Sequence, residues 1–293
     1  QHRHHPLPEI DEEPSPVVPS ALLHNNGIGL PSGPDGHFPS LFQDRLDQEA
    51  YLAQVEEVVE RLVAHEIAVL DQRAMIAPVP LLSALIDGAI PARRDLTEGG
   101  ARYRTFGMLA ESAAHAIDSL TAIKTVVFER GEATMAELCD ALDADFGEHE
   151  SLRQKLLAAP KYGNDDDYAD ALMVRVFETL FRAIDGRPTV RGGHYRLEML
   201  PTTSHVYFGA MTGAMPDGRR AGTPLANSMG NCTGVPVKGF PSVVLSTSRF
   251  DHSRGLGGMV LNARFPGPAL QEEKGVEALK GLIEAAFDTG SYQ

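Results

Sequence analysis

Residues 191–222, RGGHYRLEMLPTTSHVYFGAMTGAMPDGRRAG, are the stretch on which the reading of the whole chain turns. Pro201, Thr202, Thr203 and Ser204 lead into His205-Val206-Tyr207-Phe208, a β-branched and aromatic run that predicts a strand over 205–208. Gly209 and Gly213 loosen the backbone after it. Pro216-Asp217-Gly218 predicts a tight turn on the surface, because proline presets φ and glycine accepts positive φ, and Arg219 and Arg220 follow. Hydroxyls and an imidazole at the end of a buried strand stand where α/β proteins keep their sites. Taken alone, the segment reads more simply as a core strand with a surface hairpin.

Working outward, helices dominate. Leu52, Val55, Val58, Val59, Leu62, Val63, Ile67 and Leu70 recur at helical spacing, so a long amphipathic helix is expected over 47–77, ended by Pro78 and Pro80. An alanine-rich buried helix is expected over 112–129. Thr134-Met135-Ala136-Glu137 reads as a capping box opening a helix to 144, and a short helix covers 148–158. Asn164 or Asp165 is expected to cap the next helix, which runs to about 184, and an amphipathic helix covers 275–287. Two further strands are expected, at 242–246 and 259–265. Residues 95–103 read as a polar loop. Residues 1–45 are rich in proline, histidine and acid and build no core. The order is α/β in character but strand-poor, as though cut from a larger sheet or barrel.

The chain has 293 residues, of which 43% are hydrophobic, enough for a large core or two domains. Its 26 basic and 40 acidic residues give a net charge of −14, which argues against nucleic acid and against an anionic membrane surface as partners. No apolar run approaches a membrane span, and the N-terminus has no signal-peptide core. Two cysteines, Cys139 and Cys232, make no disulfide framework, which fits a reducing compartment and a cytoplasmic protein.

Single residues with chemical potential each have a plainer reading. Cys232 lies in a flexible loop with no histidine near it in sequence and reads as incidental, since a reactive thiol needs a base. Cys139 reads as packing on an amphipathic helix. The run Asp165-Asp166-Asp167 suggests a Mg²⁺ or Ca²⁺ site but reads better as a helix cap with a solvated face, because adjacent aspartates point apart. His2, His4 and His5 read as an exposed tail. Asp251-His252 is not an orienting pair by spacing alone, and Gly255, Gly257 and Gly258 lack the strand and helix of a phosphate loop. His205 reads first as a satisfied buried histidine. No complete catalytic constellation emerges.

Several runs nonetheless carry a family resemblance. They are Asp95-Leu96-Thr97-Glu98-Gly99-Gly100-Ala101, then Ala159-Pro160-Lys161-Tyr162-Gly163-Asn164-Asp165-Asp166-Asp167-Tyr168, then Pro201 to Gly209, then Pro216-Asp217-Gly218-Arg219-Arg220-Ala221. The pieces Gly257-Gly258, Leu261-Asn262 and Arg264-Phe265 continue the series. Together, over about 75–293 and in order, they resemble glycyl-radical enzymes of the pyruvate formate-lyase type. The Pro201–Gly209 form resembles the dehydratase and decarboxylase branches, with hydroxyproline and glycerol dehydratase-like members, more than formate acetyltransferase.

The resemblance implies a ten-stranded α/β barrel, of which residues 46–293 would be a helix-rich part. It implies radical lyase or dehydratase chemistry on a small polar metabolite in anaerobic metabolism. It also implies a backbone glycyl radical, installed by a separate activating enzyme that uses S-adenosylmethionine and an iron–sulfur cluster, and a homodimer at full length. The radical passes to a cysteine inside the barrel. No metal or organic cofactor is expected in the barrel itself. That cysteine belongs to a Gly-Cys-x-Glu-type motif upstream of the matched region, and the radical glycine to an Arg-Val-x-Gly-Tyr motif in a C-terminal domain; neither motif occurs among these 293 residues. The chain is therefore expected to be an internal, inactive fragment that contains no catalytic residue. By the resemblance, Leu200, Thr202, Thr203 and His205 are the expected substrate contacts. Two other readings stand beside it: a fragment of a formate C-acetyltransferase-like enzyme, and a non-catalytic split or degenerate scaffold subunit.

Overall fold

The computed structural model describes residues 48–200, 203–265 and 267–291; the expected irregular segment 1–45 and Thr202 lie outside them. Helix α1 (Gln48–Ile76) leads into two short helices, α2 (Pro80–Leu85) and α3 (Ala89–Ala92), and strand β1 (Thr105–Leu109). Helix α4 (Ala113–Ala122) continues into a π-helical segment (Ile123–Glu129), then α5 (Met135–Asp143), α6 (Glu150–Leu157) and α7 (Asp167–Ile184). Strand β2 (His194–Glu198), α8 (Ser204–Met211), α9 (Phe240–Thr247) and α10 (Glu273–Asp288) complete the order. Among the described residues no helix is long and apolar enough to cross a membrane.

The architecture is α/β and helix-rich, as expected, but its sheet has two parallel strands. β1 pairs with β2 in the register Thr105↔His194 to Leu109↔Glu198. Neither strand was among the expected ones. β2 alternates, with Tyr195 and Leu197 buried and His194 exposed, the signature of a half-buried strand. α7 is the centre of the main core: Met173, Phe177 and Phe181 pack with Ile117 of α4, Tyr195 and Leu197 of β2, and Phe250. Phe177 meets Tyr162 and Phe250 edge-on, at centroid distances of 6.4 and 5.3 Å. A second core joins the π-helical segment to α5 and α6 through Val126, Leu138, Phe146 and Leu156.

The long helices follow their sequence signals. Thr134 and Glu137 form the expected capping box, with Thr134 N–H donating to Glu137 Oε2 at 2.7 Å and Glu137 N–H donating to Thr134 Oγ1 at 3.2 Å. The cap of α7 is Asp166, one residue beyond the expected pair: its Oδ1 accepts from Tyr168 N–H at 3.0 Å. Asp165 and Asp167 instead pair with Arg249, at 2.9 and 2.6 Å. The aspartate run is a cap and an arginine clamp.

All three expected strands are corrected. Residues 205–208 lie in helix α8. The helix is held at its C-terminal end by Arg219, whose Nη1 donates to Gly213 O at 2.7 Å and to Thr212 O at 3.3 Å, while Nη2 donates to Gly209 O at 2.7 Å and to Thr223 O. A cation satisfying terminal helix carbonyls outweighs the weak strand preference of Val206, Tyr207 and Phe208. Residues 242–246 lie in helix α9, where Gly239 at φ 84° and Pro241 in the first turn make a helix start. An apolar run as short as Val243-Val244-Leu245 does not separate a buried strand from a buried helix. Of 259–265 a single parallel bridge remains, Met199↔Met259, beside β2. The turn at Pro216-Asp217-Gly218 is buried rather than on the surface, and so is Arg219.

Candidate functional site

Because β1 and β2 are parallel, their C-terminal ends lie on one edge, and polar side chains gather there. Glu111 follows β1 by two residues. Ser112, at φ 67°, turns the chain into α4. From β2 the chain passes Met199 and Leu200 and reaches Thr203, whose φ of 66° opens α8. Ser204 Oγ then donates to Glu111 Oε2. His205 Nδ1 stands 3.7 Å from Glu111 Oε1, beyond hydrogen-bonding distance. The Glu111 side chain is only 6% exposed, and both Glu111 Oε1 and His205 Nδ1 are buried without a hydrogen-bond partner. A buried carboxylate with a spare lone pair, facing an unpaired imidazole nitrogen, can accept a hydroxyl proton or bind a polar ligand.

The expected contacts are distributed around this set. His205 belongs to it, on a helix rather than a strand, and is not the satisfied histidine first expected. Leu200 is half-buried and packs against Gly258, where a side chain would come within 2.8 Å of Leu200 Cδ2. Thr203 is exposed at the start of α8. Glu111 was missed by sequence reading, since its partner Ser204 lies 93 residues away.

A second cluster lies at the other side of the α4 N-terminus. His115 Nδ1 is hydrogen-bonded to Asp217 Oδ2 at 2.5 Å, and Cys232 Sγ is 3.3 Å from the same nitrogen and 4.0 Å from the same oxygen. Cys232, expected to be incidental, thus has a histidine beside it, contributed from 117 residues earlier in the chain. Burial pushes the Cys232 thiol well up, and the carboxylates of Asp118 and Asp217 push it further. Both effects favour the protonated thiol over the thiolate. Burial also raises the Asp118 carboxyl, to about 7, against the pull of Lys161. For Asp217 the upward push of burial is outweighed by His115 and by the Arg219 N–H, and its carboxyl is held below the usual range. Asp118 Oδ1 accepts from Tyr162 N–H at 2.8 Å, and Lys161 Nζ donates to Leu156 O at 2.5 Å. The Asp217 turn and the Ala159–Tyr168 run therefore meet in one buried place. Cys139 is half-buried on α5, as expected for packing.

The model of the pyruvate formate lyase-like family matches residues 46–209. The chain belongs to that family, the glycyl-radical enzymes. It is 36% identical over 280 residues to trans-4-hydroxy-L-proline dehydratase of Clostridioides difficile, covering 92% of this chain and 35% of that protein. The solved hydroxyproline dehydratase of that organism, with substrate trans-4-hydroxy-L-proline bound, superposes with a TM-score of 0.81 at 34% identity, over 93% of this chain and 35% of the other. A glycyl radical enzyme from Archaeoglobus fulgidus gives 0.79 at 31% identity, over 84% and 32%. The chain thus spans about a third of the length of these relatives.

Proposed function

We propose that this chain is part of a glycyl-radical lyase of the dehydratase type, acting on a small, hydroxyl-bearing metabolite of hydroxyproline or glycerol size. The observation that carries the reading is the unpaired, buried Glu111 Oε1 opposite His205 Nδ1 at the C-terminal edge of the parallel strands. In this reading Glu111 accepts a hydrogen bond or proton from a substrate hydroxyl, and Ser204 fixes the carboxylate through its other oxygen. Leu200 and Thr203 stand beside this set, and with Thr202 they are the proposed further substrate contacts. Support comes from relatives that are themselves named as dehydratases of hydroxylated substrates. Residues 46–293 would be part of a ten-stranded barrel, with β1, β2 and the Met259 bridge as three neighbouring positions. The glycyl radical supplies hydrogen-atom abstraction from a residue outside this chain, after installation by an activating enzyme that uses S-adenosylmethionine and an iron–sulfur cluster. A homodimeric, cytoplasmic enzyme of anaerobic metabolism completes the reading.

The test is anaerobic activation of the full-length protein, followed by assay with trans-4-hydroxyproline, glycerol and 1,2-propanediol. Glu111→Gln is expected to lower kcat/KM about 10²- to 10⁴-fold while the glycyl radical signal is unchanged. A full radical signal with no dehydration of any of these substrates overturns the reading.

A further inference from the structure

His115, Asp217 and Cys232 come from three separate elements: α4, the buried turn after α8, and the loop before α9. Their donor atoms all lie within 4.8 Å of one another, and all three residues are buried. The arrangement is not a nucleophilic triad. A Cys–His–Asp relay uses both ring nitrogens, one for the thiol and one for the carboxylate. Here the thiol and the carboxylate both face Nδ1, so one nitrogen has two claimants. The three side chains thus converge on one point, where a metal ion can meet a donor atom from each.

We infer that these three residues form a binding site for a divalent transition-metal ion of the zinc class. Thiolate, imidazole and carboxylate together are the donor set such ions take, and calcium or magnesium would not choose a thiolate. Metal–donor distances of about 2.0–2.3 Å in tetrahedral geometry put donors about 3.3–3.6 Å apart, so His115 and Asp217 open, and Cys232 shifts, by under about 1 Å. An independent observation points the same way. Asp118 is fully buried and acts on the Cys232 thiol, and its Oδ2 has no hydrogen-bond partner. It lies outside the three-donor group and acts on it from beside the Cys232 sulfur, as an outer partner of the ligating thiolate. The inference does not depend on the substrate reading above, since it uses none of the same side chains.

Cobalt(II) added to the full-length protein under anaerobic, chelator-buffered conditions tests it. The expected result is a thiolate-to-cobalt charge-transfer band that is retained in Cys139→Ser and lost in Cys232→Ser. Asp118→Asn is expected to weaken zinc about 10- to 100-fold, and His115→Ala at least as much. Absence of the band in the wild-type protein, or its survival in Cys232→Ser, overturns the inference. Should the variants fail to fold, zinc-soaked crystals of the wild-type protein decide the matter. An anomalous peak between the three donors supports the site, and a flat map there overturns it.

Discussion

Glu111 and His115 stand four residues apart at the start of α4, and each anchors a polar cluster of opposite character. Glu111 faces Ser204 and His205 at the strand ends and leaves two buried polar atoms unpaired. His115 faces Asp217 and Cys232 in a sealed place, where a carboxylate and a thiol both face one nitrogen. An open valence suits a ligand that comes and goes, because the cost of leaving it unmet is recovered only when the ligand arrives. A sealed convergence suits something that stays. One turn of backbone, bent at Ser112 and tied by Ser112 Oγ to Ala226 O at 2.6 Å, separates the two regimes.

The contrast can be broken by substitution. The largest effect is expected for Asp217→Ala, which strands His115 and the Arg219 N–H in a buried site; a loss of about 3–5 kcal/mol in urea unfolding is expected. A loss under about 1 kcal/mol would mean the cluster is not sealed. Arg219→Ala is expected to cost about 1–3 kcal/mol by leaving helix-end carbonyls unmet. It should also speed amide exchange in α8 ahead of the rest of the chain; uniform exchange would show that α8 does not depend on this arginine. Glu111→Gln, at the open cluster, is expected to change stability by less than about 1 kcal/mol while it removes activity, as a site residue should. A larger loss of stability would make Glu111 a structural carboxylate.

The smallest effect serves as a reference outside both clusters. Asp95 accepts from Thr97 Oγ1 and N–H, Ser83 Oγ and Val79 N–H, and these bonds, Thr97 first, hold its carboxyl well below the usual range. A depressed folded pKa means that its stabilising contribution is present above the ordinary carboxylate range and is lost as pH falls towards the folded value. The Tm difference between wild type and Asp95→Asn should therefore be full at neutral pH and shrink on acidification. A difference that does not change with pH would rule out this carboxylate as its source.

How much was legible beforehand depended on the distance over which each feature is decided. The capping box at Thr134 and Glu137 spans three residues, and the sequence shows it outright. The amphipathic spacing of α1 and the apolar face of α7 repeat locally, and both helices fall where that spacing puts them. The family-like runs at Asp95, Ala159, Pro201 and Pro216 led to the family because each is a continuous string of residues. His205 was singled out from such a string, but its partner Glu111 was not, since nothing near Glu111 marks it.

By itself the sequence determined the helical majority, the Thr134–Glu137 capping box and the family, because these rest on periodicity and on contiguous runs. Tertiary structure alone decided that Val206, Tyr207 and Phe208 form a helix, since the deciding contact is a guanidinium bonding carbonyls at positions 209, 212, 213 and 223. It alone decided that the Asp217 turn is buried and that Cys232 meets a histidine. A side chain's chemistry is set by what faces it, and here the facing atoms come from 102 and 117 residues away.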